Sequence, residues 1–269
     1  MKYAISNIAL PQYQHCNELS DLASLGFEGL EVAPSRVWRD TWKGLVAADI
    51  QRYRSDVEAA GLEVVGLHSL LFDQPDLALC DSTEKRGRLM EFFVHLSGIC
   101  RDLGGRTIIW GGGRRREAMP ADEALTVAVE FFGALADRIE GHGTVYCLEP
   151  LASADTDFVH SVRECQAIAY AVNRPVLKVQ IDVKAMASNN ELDADTISAV
   201  AADLVHVHAN EPGFEVLGSS GTVDHHLAGE CLRGIGYDGY VSIEQKMIDP
   251  DDVFGPIRQS LAILRKAYA

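Results

Sequence analysis

The chain has 269 residues, of which 47% are hydrophobic, so it is long enough to bury one large core. Its formal net charge of −15 argues against non-specific nucleic-acid binding, because proteins that track phosphates need an excess of lysine and arginine. No apolar run approaches the ~18 residues of a membrane span, and MKYAISNIAL, a strand-like start, lacks the long apolar stretch of a signal peptide. The six cysteines form no CxxC pair and lie in apolar segments, as reduced thiols do. We therefore expect a cytoplasmic protein that binds neither nucleic acid nor a membrane.

Short β-rich runs alternate with longer amphipathic runs along the whole chain. The predicted strands cover residues 2–7, 29–33, 62–69, 106–112, 144–150, 176–182, 204–210 and 240–245. The predicted helices cover residues 15–25, 47–60, 83–103, 121–140, 160–172, 193–201, 224–234 and 251–267. Eight such units are the number found in a TIM barrel, so the sequence predicts a single α/β domain, a (β/α)8 barrel over residues 1–269.

Glycines mark the expected ends of several helices. Residues typical of a helix C-cap occur at five such places: Gly26, Gly61, Gly104, Gly141 and Gly236. The alternative fold is a doubly wound open sheet, which normally carries a GxGxxG phosphate loop after its first strand. Here the first strand runs into SNIALP, so the barrel is favoured.

Nearly every predicted strand ends in a polar or aromatic residue that suits a binding site. In chain order these residues are Asn7, Glu31, His68, Trp110, Glu149, Asp182, His208 and Glu244. The carboxyl ends of barrel strands meet at one mouth, where barrel enzymes carry their chemistry. A single glutamate at a strand end is more often a helix cap or a partner for a basic residue. Four metal-capable side chains at the ends of strands five to eight are harder to explain in that way.

The four residues from strands five to eight are Glu149, Asp182, His208 and Glu244. Carboxylates that lose water together repel one another, so this group needs a cation to be stable. Three carboxylates and one imidazole favour Mn²⁺ or Mg²⁺, and are compatible with Zn²⁺, Co²⁺ or Ni²⁺. Such an ion could polarise a carbonyl and stabilise an enediolate.

The runs CLEP (147–150), QID (180–182), HVHANEP (206–212) and SIEQK (242–246) resemble the ligand motifs of the xylose isomerase-like superfamily. This superfamily includes sugar isomerases and epimerases, inosose dehydratase and endonuclease IV-type repair enzymes. The resemblance implies that Glu149, Asp182, His208 and Glu244 bind one divalent ion. It also implies that Glu149 and Glu244 are the catalytic acid/base pair on opposite faces of a sugar. Related enzymes often form dimers or tetramers, so a homo-oligomer is compatible with the resemblance.

The chain departs from the epimerase pattern at two places. Epimerases usually carry DxxH after strand six, but here Ala185 stands where the histidine would be. They also carry an arginine soon after the histidine of strand seven, where this chain has EPGFEV, beginning at Glu211. Lys184 could replace a missing donor, or could simply face outwards. We keep Lys184 and Glu211 as candidate substrate contacts, and the sugar itself stays unassigned.

Further candidates lie in the loops and beneath the mouth. The resemblance makes His68 a candidate substrate contact, although a hydrogen-bonded core histidine fits equally well. His206 shares a strand face with His208 and is expected to lie one layer deeper, as a supporting residue.

Two loops add basic and imidazole side chains. The run IIWGGGRRRE (108–117) places Arg114 and Arg116 after three glycines, where they could bind a substrate phosphate or carboxylate or form a solvated basic patch. The loop LGSSGTVDHH (217–226) ends in a helix cap, and His225 could close over the substrate.

The favoured function is a metal-dependent sugar isomerase or epimerase that abstracts a proton next to a carbonyl. A dehydratase of the inosose dehydratase type could use the same site, by expelling a β-hydroxyl after the same proton abstraction. An endonuclease IV-like enzyme fits less well, because that branch has more histidine ligands and basic loops. A non-catalytic barrel is the least favoured alternative, because the four ligands are intact.

Overall fold

Eight parallel strands follow one another around a closed barrel in the computed structural model, which describes residues 1–269. In chain order the strands are β1 Lys2–Ser6, β2 Gly29–Val32, β3 Glu63–Leu67, β4 Thr107–Trp110, β5 Val145–Leu148, β6 Leu177–Asp182, β7 Leu204–Asn210 and β8 Tyr240–Glu244. Each strand pairs with the next one in sequence, and β1 closes the ring by pairing with β8. The predicted (β/α)8 barrel is therefore confirmed, and each strand lies within two residues of its predicted bounds.

Ten α-helices surround the strands. They are α1 Leu19–Leu25, α2 Pro34–Val37, α3 Ala47–Ala59, α4 Thr83–Asp102, α5 Ala121–Ile139, α6 Val162–Val172, α7 Val183–Ser188, α8 Ala194–Val200, α9 His225–Gly234 and α10 Phe254–Tyr268. The sequence did not predict α2 and α7, because helices of four and six residues are too short to show a helical period. All five glycines expected at helix ends have positive φ, between 69° and 95°. No helix combines the length and the apolar character needed to cross a membrane.

The core has an outer and an inner part because strand side chains alternate between faces. Ile108 and Trp110 of β4 belong to the large apolar cluster that fills the space between strands and helices. Ile109, together with Val145 and Cys147 of β5, forms a small separate cluster on the other face. No disulfide forms; four of the six cysteines are buried as expected, whereas Cys16 is exposed.

Strand pairing brings the predicted site residues together at one end of the barrel. His208 of β7 pairs in register with Asp182 of β6 and with Ser242 of β8. His206 pairs with Gln180, two residues earlier on each strand, and so lies one layer below His208. Both histidines are completely buried. The mouth of the barrel is therefore the layer that contains His208.

We predict that Gly66→Ala destabilises the barrel, because a Cβ on this buried residue of β3 would lie 2.0 Å from the carbonyl oxygen of Thr107 on β4. Overpacking of this kind typically costs about 1–3 kcal/mol of unfolding free energy. Gly87→Ala is the matched control, since Gly87 is exposed in α4 and its Cβ would meet nothing within 4 Å. Denaturant unfolding should show a loss only for Gly66→Ala; equal stability of the two variants would contradict the close strand contact.

Candidate metal centre

Four buried side chains from consecutive strands converge at the mouth of the barrel. Glu149 follows β5, Asp182 ends β6, His208 lies in β7 and Glu244 ends β8. One potential ligand atom from each lies within 4.8 Å of all the others. Their exposed fractions are 8% or less, so the charges are largely removed from water. The structure thus brings together the four residues that the sequence proposed as ligands.

His208 has a different partner on each side of its ring. Its Nε2 lies 3.0 Å from both carboxylate oxygens of Glu31, which is itself completely buried. Its Nδ1 lies 3.2 Å from Glu149 Oε1 and 3.5 Å from Glu244 Oε2. A proton on Nε2, donated to Glu31, leaves the lone pair of Nδ1 directed at the other three ligands. Such a carboxylate–histidine pair orients the imidazole and raises its basicity as a ligand.

Two neutral amides hold the carboxylates in place. Gln180 Nε2 donates to Glu149 Oε1 at 2.6 Å. Asn210 Nδ2 donates to Asp182 Oδ2 at 2.7 Å and to Glu244 Oε2 at 2.9 Å. The other oxygen of Asp182 accepts from the backbone N–H of Ala185, which caps α7. These donors fix the positions of the carboxylates but add no positive charge.

The pKa values reflect the crowding of negative charge. Burial, reinforced by the nearby Glu149, raises the pKa of Asp182 to about 7. Burial alone would raise the pKa of Glu244, but His208 and His68 outweigh it and lower the pKa to about 2. Burial opposes a charge on His208, yet attraction to Glu31 and Glu244 raises its pKa well above the ordinary value. The same attraction, outweighing burial, holds the pKa of Glu31 well below its usual range.

The donor set fits a divalent cation. Three carboxylates and the Nδ1 of His208 form a compact, largely oxygen set of the kind preferred by hard ions. A cation there would take the position of a proton on Nδ1 and would compensate the carboxylates together. Glu31, His206 and His208 form a second compact group, but it lies deeper in the barrel and all three side chains are fully buried.

A cavity of about 700 Å³ opens above this group, and Glu149, His208 and Glu244 form part of its lining. His68 also lines it: its Nε2 lies 2.5 Å from Ser6 Oγ and its Nδ1 lies 3.3 Å from Glu244 Oε1. Of the six side chains proposed from sequence as substrate contacts, His68 is the one that the structure places on this cavity.

The arginines after β4 have other partners. Arg114 is buried, stacks on Trp110 with its guanidinium 4.2 Å from the ring centroid, and donates to the carbonyls of Gly111 and Glu149 at 2.6 Å each. Further bonds to the carbonyls of Trp110 and Val159 occupy the rest of the guanidinium. Arg114 therefore holds the loop together, and the expected substrate contact does not fit its environment.

Arg116 is similarly occupied. Its backbone N–H and its Nε donate to Asp157, and Nη1 donates to the carbonyl of Met119. The separate cavity beside it, of about 720 Å³, is also lined by Asp81, Glu117 and Asp155. This mixture of charges does not favour an anion.

The remaining three candidates lie outside the cavity above the ligands. Glu211 accepts from Gly218 N at 2.6 Å, from Ser220 Oγ and from His225 Nε2 at 3.1 Å, and so organises the loop before α9. His225 is buried and its Nδ1 lies 2.9 Å from the hydroxyl of Tyr268. The Nζ of Lys184 lies 3.3 Å from Asp155 Oδ2. All three side chains have partners within the protein.

Sequence reasoning missed three residues that support the ligands. Gln180 lies two residues before Asp182 in β6, and Asn210 lies two residues after His208 in β7, so each shares a strand face with a proposed ligand. In the sequence, however, an amide side chain does not by itself indicate a metal site. Glu31 was noted at a strand end, yet nothing in its neighbourhood predicted that it would bond to His208, which is 177 residues away in sequence. A search for polar residues at inward-facing positions of all eight strands would have found all three.

A family model described as a xylose isomerase-like TIM barrel matches residues 19–267. A ketose 3-epimerase of Arthrobacter globiformis is 30% identical over 143 residues, which are 51% of this chain and 46% of that protein. The match thus spans about half the length of this curated relative.

Solved structures resemble the whole chain. One is a D-psicose 3-epimerase with D-tagatose from Clostridium cellulolyticum H10, with a TM-score of 0.85 and 19% identity over 100% of this chain and 99% of that one. Another is a 3-keto-D-glucoside 4-epimerase from E. coli, with a TM-score of 0.80 and 22% identity over 99% of both chains. At these identities the likeness shows the shared fold.

We predict that Glu31→Gln weakens divalent metal binding about 10–100-fold, because a neutral amide no longer holds the His208 imidazole in its ligand tautomer. Titration calorimetry with Mn²⁺ measures this loss directly. Glu28→Gln is the control, since Glu28 is exposed just before β2. Equal affinities for the two variants would contradict the supporting role of Glu31.

We also predict that Gly111→Ala disrupts the centre, because a Cβ at this position would lie 2.0 Å from Glu149 Oε2. The carboxylate must then move, and metal affinity should fall at least about tenfold, as for other losses of ligand geometry. Gly112→Ala should keep its affinity, since the added Cβ meets nothing within 4 Å. Equal Mn²⁺ affinities of Gly111→Ala and Gly112→Ala would show that the close approach of Gly111 to Glu149 is not needed for metal binding.

Proposed function

Because the chain belongs to the xylose isomerase-like TIM barrel family, we propose that it is a divalent-metal-dependent epimerase or isomerase of a keto-sugar. The observation that carries this proposal is the group of three carboxylates and one imidazole, buried together beneath a cavity large enough for a sugar. The names of the similar proteins, a ketose 3-epimerase and epimerases of a free ketose and of a 3-keto-glucoside, support the same class of substrate.

Glu149, Asp182, His208 and Glu244 are the residues that would hold the ion, with Mn²⁺ or Mg²⁺ favoured by their oxygen-rich set. When bound, a divalent cation supplies electrostatic stabilisation for the negative charge that develops on substrate oxygens. The protein's own contribution is to fix the ligand positions, through Gln180 and Asn210, and to keep bulk water away from them.

In the proposed reaction Glu149 and Glu244 transfer the protons. Glu149 and Glu244 extend from β5 and β8, which are separated around the barrel by β6 and β7, so they reach the cavity from different sides. Oε1 of Glu149 accepts a hydrogen bond from Gln180, and the carboxylate lines the cavity. One glutamate takes the proton from the carbon next to the carbonyl. The other returns a proton to the opposite face, giving an epimer, or to the neighbouring carbon, giving an isomer.

His68 links one of these glutamates to the barrel wall. Its ring joins Ser6 on β1 to Glu244 after β8, with contacts of 2.5 and 3.3 Å. Since its side chain is almost completely buried, the ring has little freedom to turn away. In the proposed reaction His68 orients the Glu244 carboxylate and contacts the substrate at the edge of the cavity.

The decisive experiment is exchange of substrate hydrogen in D₂O, followed by NMR, with the Mn²⁺-loaded enzyme and a panel of ketoses and 3-keto-glucosides. We expect deuterium to enter at the carbon next to the carbonyl, and we expect Glu149→Gln and Glu244→Gln to lower this rate by at least about 10²-fold, as for loss of a general acid or base. Glu28→Gln should keep the wild-type rate. Full exchange in both glutamine variants, with metal still bound, would contradict the two-glutamate scheme.

The same experiment separates epimerisation from dehydration. An epimerase or isomerase incorporates deuterium without a change in composition, whereas a dehydratase forms an enone and loses water. If an enone forms, the protein is a dehydratase and the proposed epimerisation or isomerisation is wrong. The same glutamates would still carry out the proton transfer.

A further inference from the structure

The cavity above the ligand group is larger than a simple sugar requires. Its volume is about 700 Å³. A hexose has roughly twelve non-hydrogen atoms, and at the ~30 Å³ that a water molecule occupies in the liquid these would fill about 360 Å³. Cavities of about 300–1,000 Å³ commonly enclose ligands of drug size. About half of the cavity therefore stays free when a hexose lies over the four ligands.

The walls that enclose this extra space are mainly apolar. The hydrophobic side chains that form them include Ile8, Leu70, Leu71, Phe72, Leu151 and Phe214. They come from the loops after β1, β3, β5 and β7, so the apolar lining surrounds the opening and is not confined to one side. A sugar hydroxyl placed against these walls would lose water without gaining a hydrogen bond, which is unfavourable.

Three polar side chains at the cavity wall have partners within the protein. Gln12 Nε2 donates to the carbonyl of Ser35 at 3.2 Å. Lys246 Nζ lies 2.5 Å from Glu215 Oε1. Arg36 Nη2 donates to the carbonyl of Leu10 at 2.6 Å. Two buried donors of lining residues, Arg36 Nε and Trp110 Nε1, have no hydrogen-bond partner in the protein. The other polar groups open to a ligand belong to the ligand group on the floor.

Two phenylalanines at the opening are exposed to solvent, and Lys184 Nζ lies 5.6 Å from the ring centroid of one of them, Phe214. Phe72 is 83% exposed and Phe214 is 38% exposed, and both line the same cavity. Large exposed aromatic side chains at the edge of a ligand cavity offer flat faces on which another ring can stack. Their position continues the apolar walls outwards from the ligand group.

We propose that this outer part of the cavity binds an apolar, flat substituent of the substrate, so that the preferred substrate is a keto-sugar joined to an aryl group and not a free ketose. The proposal rests on the proposed function, because the sugar part would lie over Glu149, Asp182, His208 and Glu244. The aryl group would extend between the loops after β3 and β7 and stack against Phe72 and Phe214.

The test compares methyl and phenyl 3-keto-β-D-glucosides, which differ only in the size of the apolar group. For the Mn²⁺-loaded protein, kcat/KM for deuterium incorporation and Kd by titration calorimetry are measured with each. Since one methylene in an apolar pocket is worth about tenfold or more, we expect kcat/KM for the phenyl compound to exceed that for the methyl compound at least about tenfold.

Matched variants locate the preference. Phe72→Ala and Phe214→Ala should each lower the phenyl-to-methyl ratio at least about threefold. Leu125→Ala should retain it, since Leu125 is a large hydrophobic residue, 45% exposed on α5, and does not line the cavity. Equal kcat/KM for the two glucosides in the wild type would overturn the proposal. An unchanged phenyl-to-methyl ratio of kcat/KM in both phenylalanine variants would also overturn it. A third contrary result is that Phe72→Ala converts a dimer into a monomer in sedimentation without changing this ratio.

The two readouts separate this inference from the proposed function. Tighter binding of the phenyl compound without deuterium exchange for any substrate would sustain the aryl subsite and overturn the proposed reaction. Exchange at equal kcat/KM, with equal Kd, for both glucosides would sustain the reaction and overturn the subsite.

Discussion

His208 has a carboxylate partner on each side of its ring, and the site is built around that constraint. Nε2 contacts Glu31 within the barrel, and Nδ1 faces Glu149 and Glu244 at the mouth. Carboxylates buried so close together destabilise one another unless positive charge or hydrogen-bond donors lie between them. The imidazole supplies part of that compensation. A divalent ion beside Nδ1 would supply the rest, and Glu31 would keep the ring in the orientation that such an ion needs.

The barrel meets this constraint through details of its backbone. Parallel strands in a closed ring place Asp182 and His208 in one layer, and Glu244, paired with Asn210, two residues further towards the mouth. Glu149 fits beside them because Gly111, at the end of the adjacent strand, has no side chain to occupy its place. Arg114 then binds the carbonyls of the same region, including that of Glu149 itself, and holds the loop against the strand ends. The basic loop after β4, in which the sequence suggested an anion site, thus uses Arg114 to hold the strand ends together.

The floor and the walls of the cavity differ in polarity. His68, Glu149, His208 and Glu244 line its floor. Its walls are mainly hydrocarbon and aromatic, with a few polar side chains among them, and two aromatic rings continue them to the solvent. A substrate that matches this division reacts at one end and is recognised at the other, so binding energy from the distant part can position the reacting carbon.

The order of strands and helices was determined by local sequence: apolar runs of strand length, amphipathic helical runs and glycines at helix ends are readable without knowledge of the fold. The four proposed ligands were readable too, because each lies at a strand end and the barrel makes strand ends meet. The partners of Arg114, Glu211 and His225 were not, because a side chain's type does not reveal whether carbonyls, a hydroxyl or solvent will face it. Nor could sequence connect Glu31 to His208 or assemble the apolar walls from four separate loops. Those features depend on distances across a closed ring between residues far apart in the chain, and only the tertiary structure sets such distances.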